Sequence, residues 1–309
     1  MTSKVYSPFI DYYTGSGAMV LNKSSNVISD ITGSIVTFDV TNCTPEKSAV
    51  VAYERDGVVC LRNAHSAVWL ALIEQGIDEA LAGGSEDIDI VDKEGDSGRF
   101  SYSSQAWQQV ATFKRFIFES RLADLSWPFL KSKSLVLYYD FLLIKEPRAS
   151  RAATPWHQDH AYYPLRGSDV INCWTALDKI PLDTALRFWR GSHAQKLIHQ
   201  AVEFSGESDY QHLQTDRPLP PDIDADPTAE ILAIDMNPGD MLVWDSHTFH
   251  SAPGNTSSNR RAAFSVNWTG DGAVFHDMPS LGTYRDDGIQ DGMLIAGERF
   301  PTLRTRESG

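Results

Sequence analysis

The order of hydrophobic patterns predicts a mainly β fold with a helical layer, α+β in class, and three observations carry that prediction. Two stretches with helical spacing come first, one after Ser66 and one over about 105–125. An almost continuous apolar and aromatic run follows from Ser134 to Ile144. After it come short strand-like runs separated by turn residues, mostly without helices between them. Helices followed by many strands pack as a helical layer on an antiparallel β-sandwich or barrel. A jelly roll fits the strand count.

Each element has its own local reason. Residues 1–48 are rich in Ser, Thr, Gly and Asn with short β-prone pieces such as Ile35 to Phe38, and read as an N-terminal arm or edge hairpin. Residues 49–309 read as a single domain: a helical layer over about 49–130, a β core over about 134–270 and a C-terminal extension over about 271–309. Gly57 to Arg62 is apolar enough for a buried strand. Ser66 stands as the N-cap of a helix whose apolar positions Trp69, Leu72, Ile73, Ile77, Ala80 and Leu81 recur on one face, and Gly83 and Gly84 end it. Glu86 to Gly98 is acidic and reads as a surface loop. The second helix carries a stripe of Trp107, Val110, Ala111, Phe113, Phe116, Ile117 and Leu122, and Pro128 closes the layer.

Ser134 to Ile144 shows no helix caps and fits a strand covered on both faces. Further strands are expected at Val170 to Leu177, Leu186 to Trp189, Ile231 to Met236, Met241 to Trp244 and Ala262 to Trp268. Two loops interrupt them. Lys145 to Thr154 places Arg148 and Arg151 just before His157, over the mouth of any site there. Ser205 to Glu230, rich in Asp and Pro, is either a lid or a solvated excursion.

A formal charge of −14, from 41 acidic against 27 basic residues, argues against nucleic acid, whose binding rests on neutralising phosphates with cations. Three scattered cysteines, Cys43, Cys60 and Cys173, suit a reducing compartment and exclude a disulfide framework or thiolate zinc site. No leader-like or membrane-spanning apolar run is present, so a cytoplasmic location is expected, with no membrane partner. The oligomeric state is left open.

The chemistry centres on Trp156 to His160. His157 and Asp159 are two residues apart, and on an extended chain such residues point to one face, so an imidazole and a carboxylate can meet one ion. The third ligand is either His247 or His250, which follow the expected strand Met241 to Trp244. Two histidines and one carboxylate leave part of the coordination sphere open, the arrangement of non-haem Fe(II) oxygenases, whereas structural zinc sites are closed. A metal-dependent hydrolase and a non-catalytic ligand-binding protein on a cupin-like barrel are the alternatives at this point.

His157, Gln158 and Asp159, then Trp174 to Leu177, then Arg190 to His193, then Gly239 and Asp240 eleven residues before His250, Asn255, and Arg261 eleven residues after His250 together resemble the phytanoyl-CoA dioxygenase family. The likeness runs from about Gly57 to Trp268. It implies a double-stranded β-helix, a cupin-like jelly roll, and an Fe(II)- and 2-oxoglutarate-dependent dioxygenase that uses O₂. Carried over by position, it makes His157, Asp159 and His250 the catalytic iron ligands. Arg261 then binds the distal carboxylate of 2-oxoglutarate, with Trp174 beside the cosubstrate. A guanidinium suits that task as a planar, permanently charged clamp. Arg260 has the wrong spacing and is expected to face solvent.

The likeness also has departures. Ala185 and Arg190 stand where the family commonly has Gly and Pro, and Ala252 stands where it often has a hydroxyl, which Ser251 offers instead. With Asp159 in place the family chemistry implies hydroxylation rather than halogenation, with release of succinate and CO₂. The expected substrate is an apolar or aromatic small-molecule metabolite, met by Phe141, Tyr162, Tyr163, Trp189 and Trp244. Arg148, Arg151, Arg166 and Arg190 are candidates for an anionic group on it. Gln158, on the opposite strand face, His193 in its turn, and His160 are expected to be structural or to stand behind the ligands.

Overall fold

Twelve residues from Ser134 to Lys145 form the longest strand among the described residues, as the almost continuous apolar run over Ser134 to Ile144 predicts, and the major sheet is built outward from it. In this computed structural model the described residues are 31–84, 88–91, 98–149, 153–202, 217–278 and 289–306. The expectations for residues 1–30 of the arm, for most of the acidic loop, for Arg151 and for the first part of the 205–230 excursion lie outside them.

The chain begins with β1 (Gly33–Ser34), β2 (Thr37–Asp39), α1 (Lys47–Asp56), β3 (Val58–Arg62) and α2 (Ala67–Glu79). There follow β4 (Ile88–Val91), β5 (Phe100–Ser104), α3 (Ala111–Glu119), α4 (Leu122–Ser126), β6 (Ser134–Lys145), β7 (Thr154–His157) and β8 (Leu165–Arg166). Next come β9 (Val170–Ala176), β10 (Arg187–Trp189), β11 (Ile231–Ala233) and β12 (Met241–Asp245). The chain ends with β13 (His250–Ala252), β14 (Arg261–Thr269), β15 (Val274–Phe275) and β16 (Thr302–Thr305). The major sheet runs β2-β3-β12-β9-β14-β6-β5-β4, with β16 also on β6, and the minor sheet runs β1-β11-β10-β13-β7. This is the jelly roll the strand count predicts. No helix among the described residues is long and apolar enough to cross a membrane.

Alternation along the strands decides what each face of the major sheet does. Val59 and Leu61, Ile171 and Cys173, Met241 and Val243, and Phe264, Val266 and Trp268 turn outward into one buried cluster with Ile73, Ile77, Phe113, Phe116 and Ile117 of the helices. Stacked Phe113 and Phe264, with ring centroids 4.6 Å apart, join the two layers. The other parity, including Asn172, Trp174, Ser265 and Asn267, faces inward. A bulge in β6, where the register shifts opposite Asn267 and Trp268, lets Tyr138 and Tyr139 both join the inner aromatic cluster.

Several local expectations change. The second helix is broken: Gln105 has φ 56°, a short 3₁₀ turn covers Ala106–Gln108, and α3 and α4 are separated by extended Ser120 (ψ 176°). The Ser120 hydroxyl accepts the Leu122 N–H at 3.2 Å, the local competition by which serine ends one helix and starts another. Helix α1 carries no strong apolar stripe and escapes a periodicity search. Its end is marked by Gly57 at φ 83°, whose N–H bonds Tyr53 O at 2.8 Å. β4 falls inside the expected acidic loop. β1 and β2 are not a hairpin; they pair in parallel with β11 and β3, in different sheets.

Candidate active site

The inner face of the major sheet presents residues in rungs. Tyr139, Asn267, Asn172 and Trp244 lie side by side across β6, β14, β9 and β12; Phe141, Ser265, Trp174 and Leu242 form the next rung. Lys145 and Arg261 are paired at the far end. All of these side chains except Leu242, together with Phe100, Tyr102 and Tyr163, line a mostly apolar cavity of about 110 Å³.

The minor sheet closes the cavity with two histidines. His250 opens β13 directly opposite His157, which ends β7, and their ring centroids are 4.1 Å apart. β7 stops there, whereas the spacing of His157 and Asp159 predicts a strand continuing through Asp159. Gln158 is still extended (φ −111°, ψ 128°), so Asp159, first residue of a 3₁₀ turn, returns to the same side as His157. His157 Nε2 is 3.3 Å and His250 Nε2 3.6 Å from Asp159 Oδ1. Each Nδ1 faces a carbonyl two residues back, Pro155 O at 2.9 Å and Thr248 O at 3.1 Å. A carbonyl only accepts, so both Nδ1 atoms carry the proton and both Nε2 lone pairs face Asp159. The three ligand atoms lie within 4.8 Å of one another. Neighbouring ligands at about 2.1 Å from an octahedral ion sit roughly 3 Å apart, so the set fits a metal with small adjustments.

The protonation states suit a ligand set. Burial pushes the His250 imidazole down to about 4, so it is neutral at neutral pH. Burial pushes the Asp159 carboxyl up, but hydrogen bonding to the carboxylate, the Trp244 indole N–H at 3.0 Å included, holds it below the usual carboxylate range. Phe188 stacks on His250 with the ring planes 19° apart and fixes its orientation.

Arg261 is 6% exposed, and among the described residues no carboxylate reaches it. Its Nη1 donates to Pro253 O at 3.3 Å, and its guanidinium is 5.9 Å from the Trp174 ring centroid. Burial brings it down to about 10, still charged at neutral pH. Lys145, its cross-strand neighbour, donates to the same carbonyl at 3.4 Å.

Other candidates fall elsewhere. Arg260 is not turned freely to solvent: it is clamped by Asp178 at 2.8 Å and Glu74 at 3.0 Å. Arg190 pairs with Asp56 and Glu230, Arg166 with Asp291, and Arg148 is exposed, so none of the three lines the cavity. Phe141, Tyr163 and Trp244 line it; Tyr162 bonds Val202 O instead, and Trp189 packs on Phe249. Gln158 points away and bonds the carbonyls of Leu197 and His247. His193 bonds Glu54 O, and His160 stacks on His247 with centroids 3.9 Å apart. His247 itself bonds Asp245 at 3.0 Å, outside the cavity. Asp169, Asp245 and His247 also converge, but the Lys196 ammonium already stands there, 2.6 Å from Asp245 and 3.0 Å from Asp169. Ser251 and Ala252 both line the cavity, and Ser251 Oγ is buried without a hydrogen-bond partner among the described residues.

The sequence profile of the phytanoyl-CoA dioxygenase family matches residues 53–263. The chain belongs to that family. Its members are non-haem iron enzymes that use Fe(II), 2-oxoglutarate and O₂, and the likeness read from the motifs is thereby established. A probable phytanoyl-CoA dioxygenase of Caenorhabditis elegans is 28% identical over 147 residues, 45% of this chain and 44% of that protein. The matched part therefore spans less than half of that relative. Among solved structures, SnoK, a non-haem α-ketoglutarate-dependent carbocyclase of nogalamycin biosynthesis, superposes with a TM-score of 0.68 at 22% identity, covering 84% of this chain and 96% of that one. The epimerase SnoN, in complex with Fe³⁺, α-ketoglutarate and nogalamycin RO, has a TM-score of 0.66 at 23% identity, covering 84% and 98%. At these identities both are likenesses of fold.

Proposed function

We propose that this protein is an Fe(II)- and 2-oxoglutarate-dependent dioxygenase that hydroxylates a C–H bond of a small, apolar or aromatic metabolite, releasing succinate and CO₂. The observation that carries the reading is the presence, in one cavity, of the His157, Asp159 and His250 set and of a buried arginine that no carboxylate among the described residues neutralises. His157, Asp159 and His250 hold the iron through Nε2, Oδ1 and Nε2. Arg261 holds the distal carboxylate of 2-oxoglutarate, and Trp174 flanks it. When bound, iron couples the oxidation of 2-oxoglutarate by O₂ to attack on the substrate, while the protein orients the reactants and keeps water out. Phe100, Tyr102 and Phe141 offer flat apolar faces, which favours a planar or ring-containing substrate. SnoN binds a molecule of nogalamycin type, a precedent on the same fold. A free metabolite fits better than a CoA thioester, because Arg166 and Arg190 are engaged by carboxylates and the sequence offers no phosphate-cradling glycine loop.

The test is aerobic conversion of 2-oxoglutarate to succinate with added Fe(II), screened for stimulation by aromatic and alicyclic metabolites. Succinate formation is expected to disappear in His157→Ala. Parent-level turnover by that variant, or product formed without O₂ or 2-oxoglutarate, overturns the reading.

A further inference from the structure

Asn172 sits mid-strand in β9, 1% exposed, in a chain segment otherwise suited to apolar and β-branched residues. An amide there is unfavourable unless every polar atom is matched. Its match is a single directed chain of hydrogen bonds. Asn172 Nδ2 donates to Asp159 Oδ2 at 2.5 Å, and Trp244 Nε1 donates to the same oxygen at 3.0 Å. With Nδ2 so used, Asn172 Oδ1 accepts the Tyr163 O–H at 3.0 Å. The Tyr163 proton is now committed, so its oxygen is the acceptor for Asn267 Nδ2 at 3.1 Å and for the Tyr139 hydroxyl at 3.2 Å. Ser265 Oγ in turn donates to Asn267 Oδ1 at 3.2 Å. The links all donate toward Asp159. Reversing either amide would set a carbonyl oxygen against an acceptor or leave a donor without one.

The two carboxylate oxygens of Asp159 therefore have different neighbours: Oδ1 faces both imidazole Nε2 atoms, Oδ2 two N–H donors. A carboxylate ligand can bind a metal through one oxygen or through both. Turning Oδ2 toward the ion requires breaking two charge-assisted hydrogen bonds. We propose that Asn172, held in its amide orientation by Tyr163, is a positioning residue that keeps Asp159 a one-oxygen ligand and so leaves coordination positions for cosubstrate and O₂. This rests on the metal-site reading above and goes beyond it by assigning work to residues that need not touch the metal, the cosubstrate or the substrate.

The test is anaerobic titration of the full-length apoprotein with Co(II), followed by calorimetry and by visible absorption, with apoprotein melting measured alongside. Asn172→Ala is expected to weaken Co(II) binding by about 10- to 100-fold, the usual cost of losing a partner behind a metal ligand. Its Co(II) spectrum is expected to differ from the parent's, because the coordination number changes. Tyr163→Phe keeps the ring and removes the hydroxyl that orients the Asn172 amide and accepts from Asn267 and Tyr139; it is expected to shift Co(II) affinity in the same direction by a smaller factor. Lower melting temperatures with Co(II) affinity within twofold of the parent and an unchanged spectrum in both variants would mean a purely structural network and overturn the proposal. If the parent takes up no Co(II), or binds it equally well after His157→Ala, the metal-site reading fails and this inference with it. If Tyr163→Phe alone folds, its affinity and spectrum decide the matter.

Discussion

Replacing Arg261 by methionine is expected to make the apoprotein more stable while removing its response to 2-oxoglutarate. The guanidinium is buried and lacks a carboxylate among the described residues, and burial brings its pKa from 12.5 to about 10. A group whose folded pKa is depressed below its unfolded value binds its proton less well when folded. For a base this destabilises the fold at every pH below the folded value, with relief only above about 10. At about 1.36 kcal/mol per pH unit the cost at neutral pH is about 3 kcal/mol. Methionine fills a similar volume without charge. It also gives up the Pro253 O hydrogen bond and the contact with Trp174, so a net gain of about 1–2 kcal/mol is the expected order. Chemical denaturation of the two apoproteins at pH 7 measures it. Added 2-oxoglutarate at about 100 times its dissociation constant should stabilise the metal-loaded parent by about 2.7 kcal/mol and leave the variant unmoved. A destabilised variant whose midpoint still rises with 2-oxoglutarate as the parent's does would refute both the electrostatic argument and the role given to Arg261.

Two further predictions concern buried charges away from the cavity. Asp140 is fully buried, its Oδ1 accepts the Trp107 N–H at 3.3 Å, its Oδ2 has no partner among the described residues, and burial pushes it up to about 7. The folded state thus holds its proton more tightly than the unfolded chain. Stability falls as pH rises from about 4 to about 7 and stays lower above that, by an order of about 4 kcal/mol. Asp140→Asn keeps the accepted hydrogen bond and should flatten this part of a stability-versus-pH curve measured by denaturation; an unchanged curve would count against it. Lys196→Met leaves the buried Asp245 carboxylate without its ammonium partner. Since Lys196 is 42% exposed, the loss at pH 7 should be nearer about 2 kcal/mol than the 3–5 kcal/mol of a fully buried pair. Asp245 is held well below the usual carboxylate range, so the parent's advantage should persist down to about pH 4 and fade only as Asp245 itself is protonated. Equal stability of parent and variant at pH 7 would contradict it.

What was legible in the chain was what repeats locally. The outer faces of β9, β12 and β14 and the α2 stripe follow from spacing, because each depends on neighbours a few residues away, whereas the choice of His250 over His247 and the place of Arg261 come from the likeness to a family's ordered motifs. What depends on distant partners was not legible. Arg260 reads as a solvent-facing neighbour of Arg261 until Glu74 and Asp178 are brought to it by helix α2 and the loop after β9. Asn172 reads as a blemish in an apolar strand until Tyr163, Trp244 and Asp159 surround it. The break at Ser120 turns on one hydroxyl competing for one backbone N–H, which a hydrophobic stripe cannot register. Asp140 interrupts the β6 run by a single letter, yet it is one of the more consequential residues for pH response.

The facing of His157 and His250 across one antiparallel pair has a consequence for how such a chain can vary. Both imidazoles come from one rung of a two-strand ladder, and each takes its proton orientation from the backbone two residues behind it. A slip of one residue in that ladder would send one imidazole to the other side of the sheet. Insertions within Thr154–His157, at Gln158 or within His250–Ala252 should therefore abolish the ligand set outright. Among the described residues β7 has only β13 beside it, so changes of length in the chain just before Thr154 should disturb that rung less than insertions inside it. The site tolerates renovation of its entrance far better than a shift of one residue in its hinge.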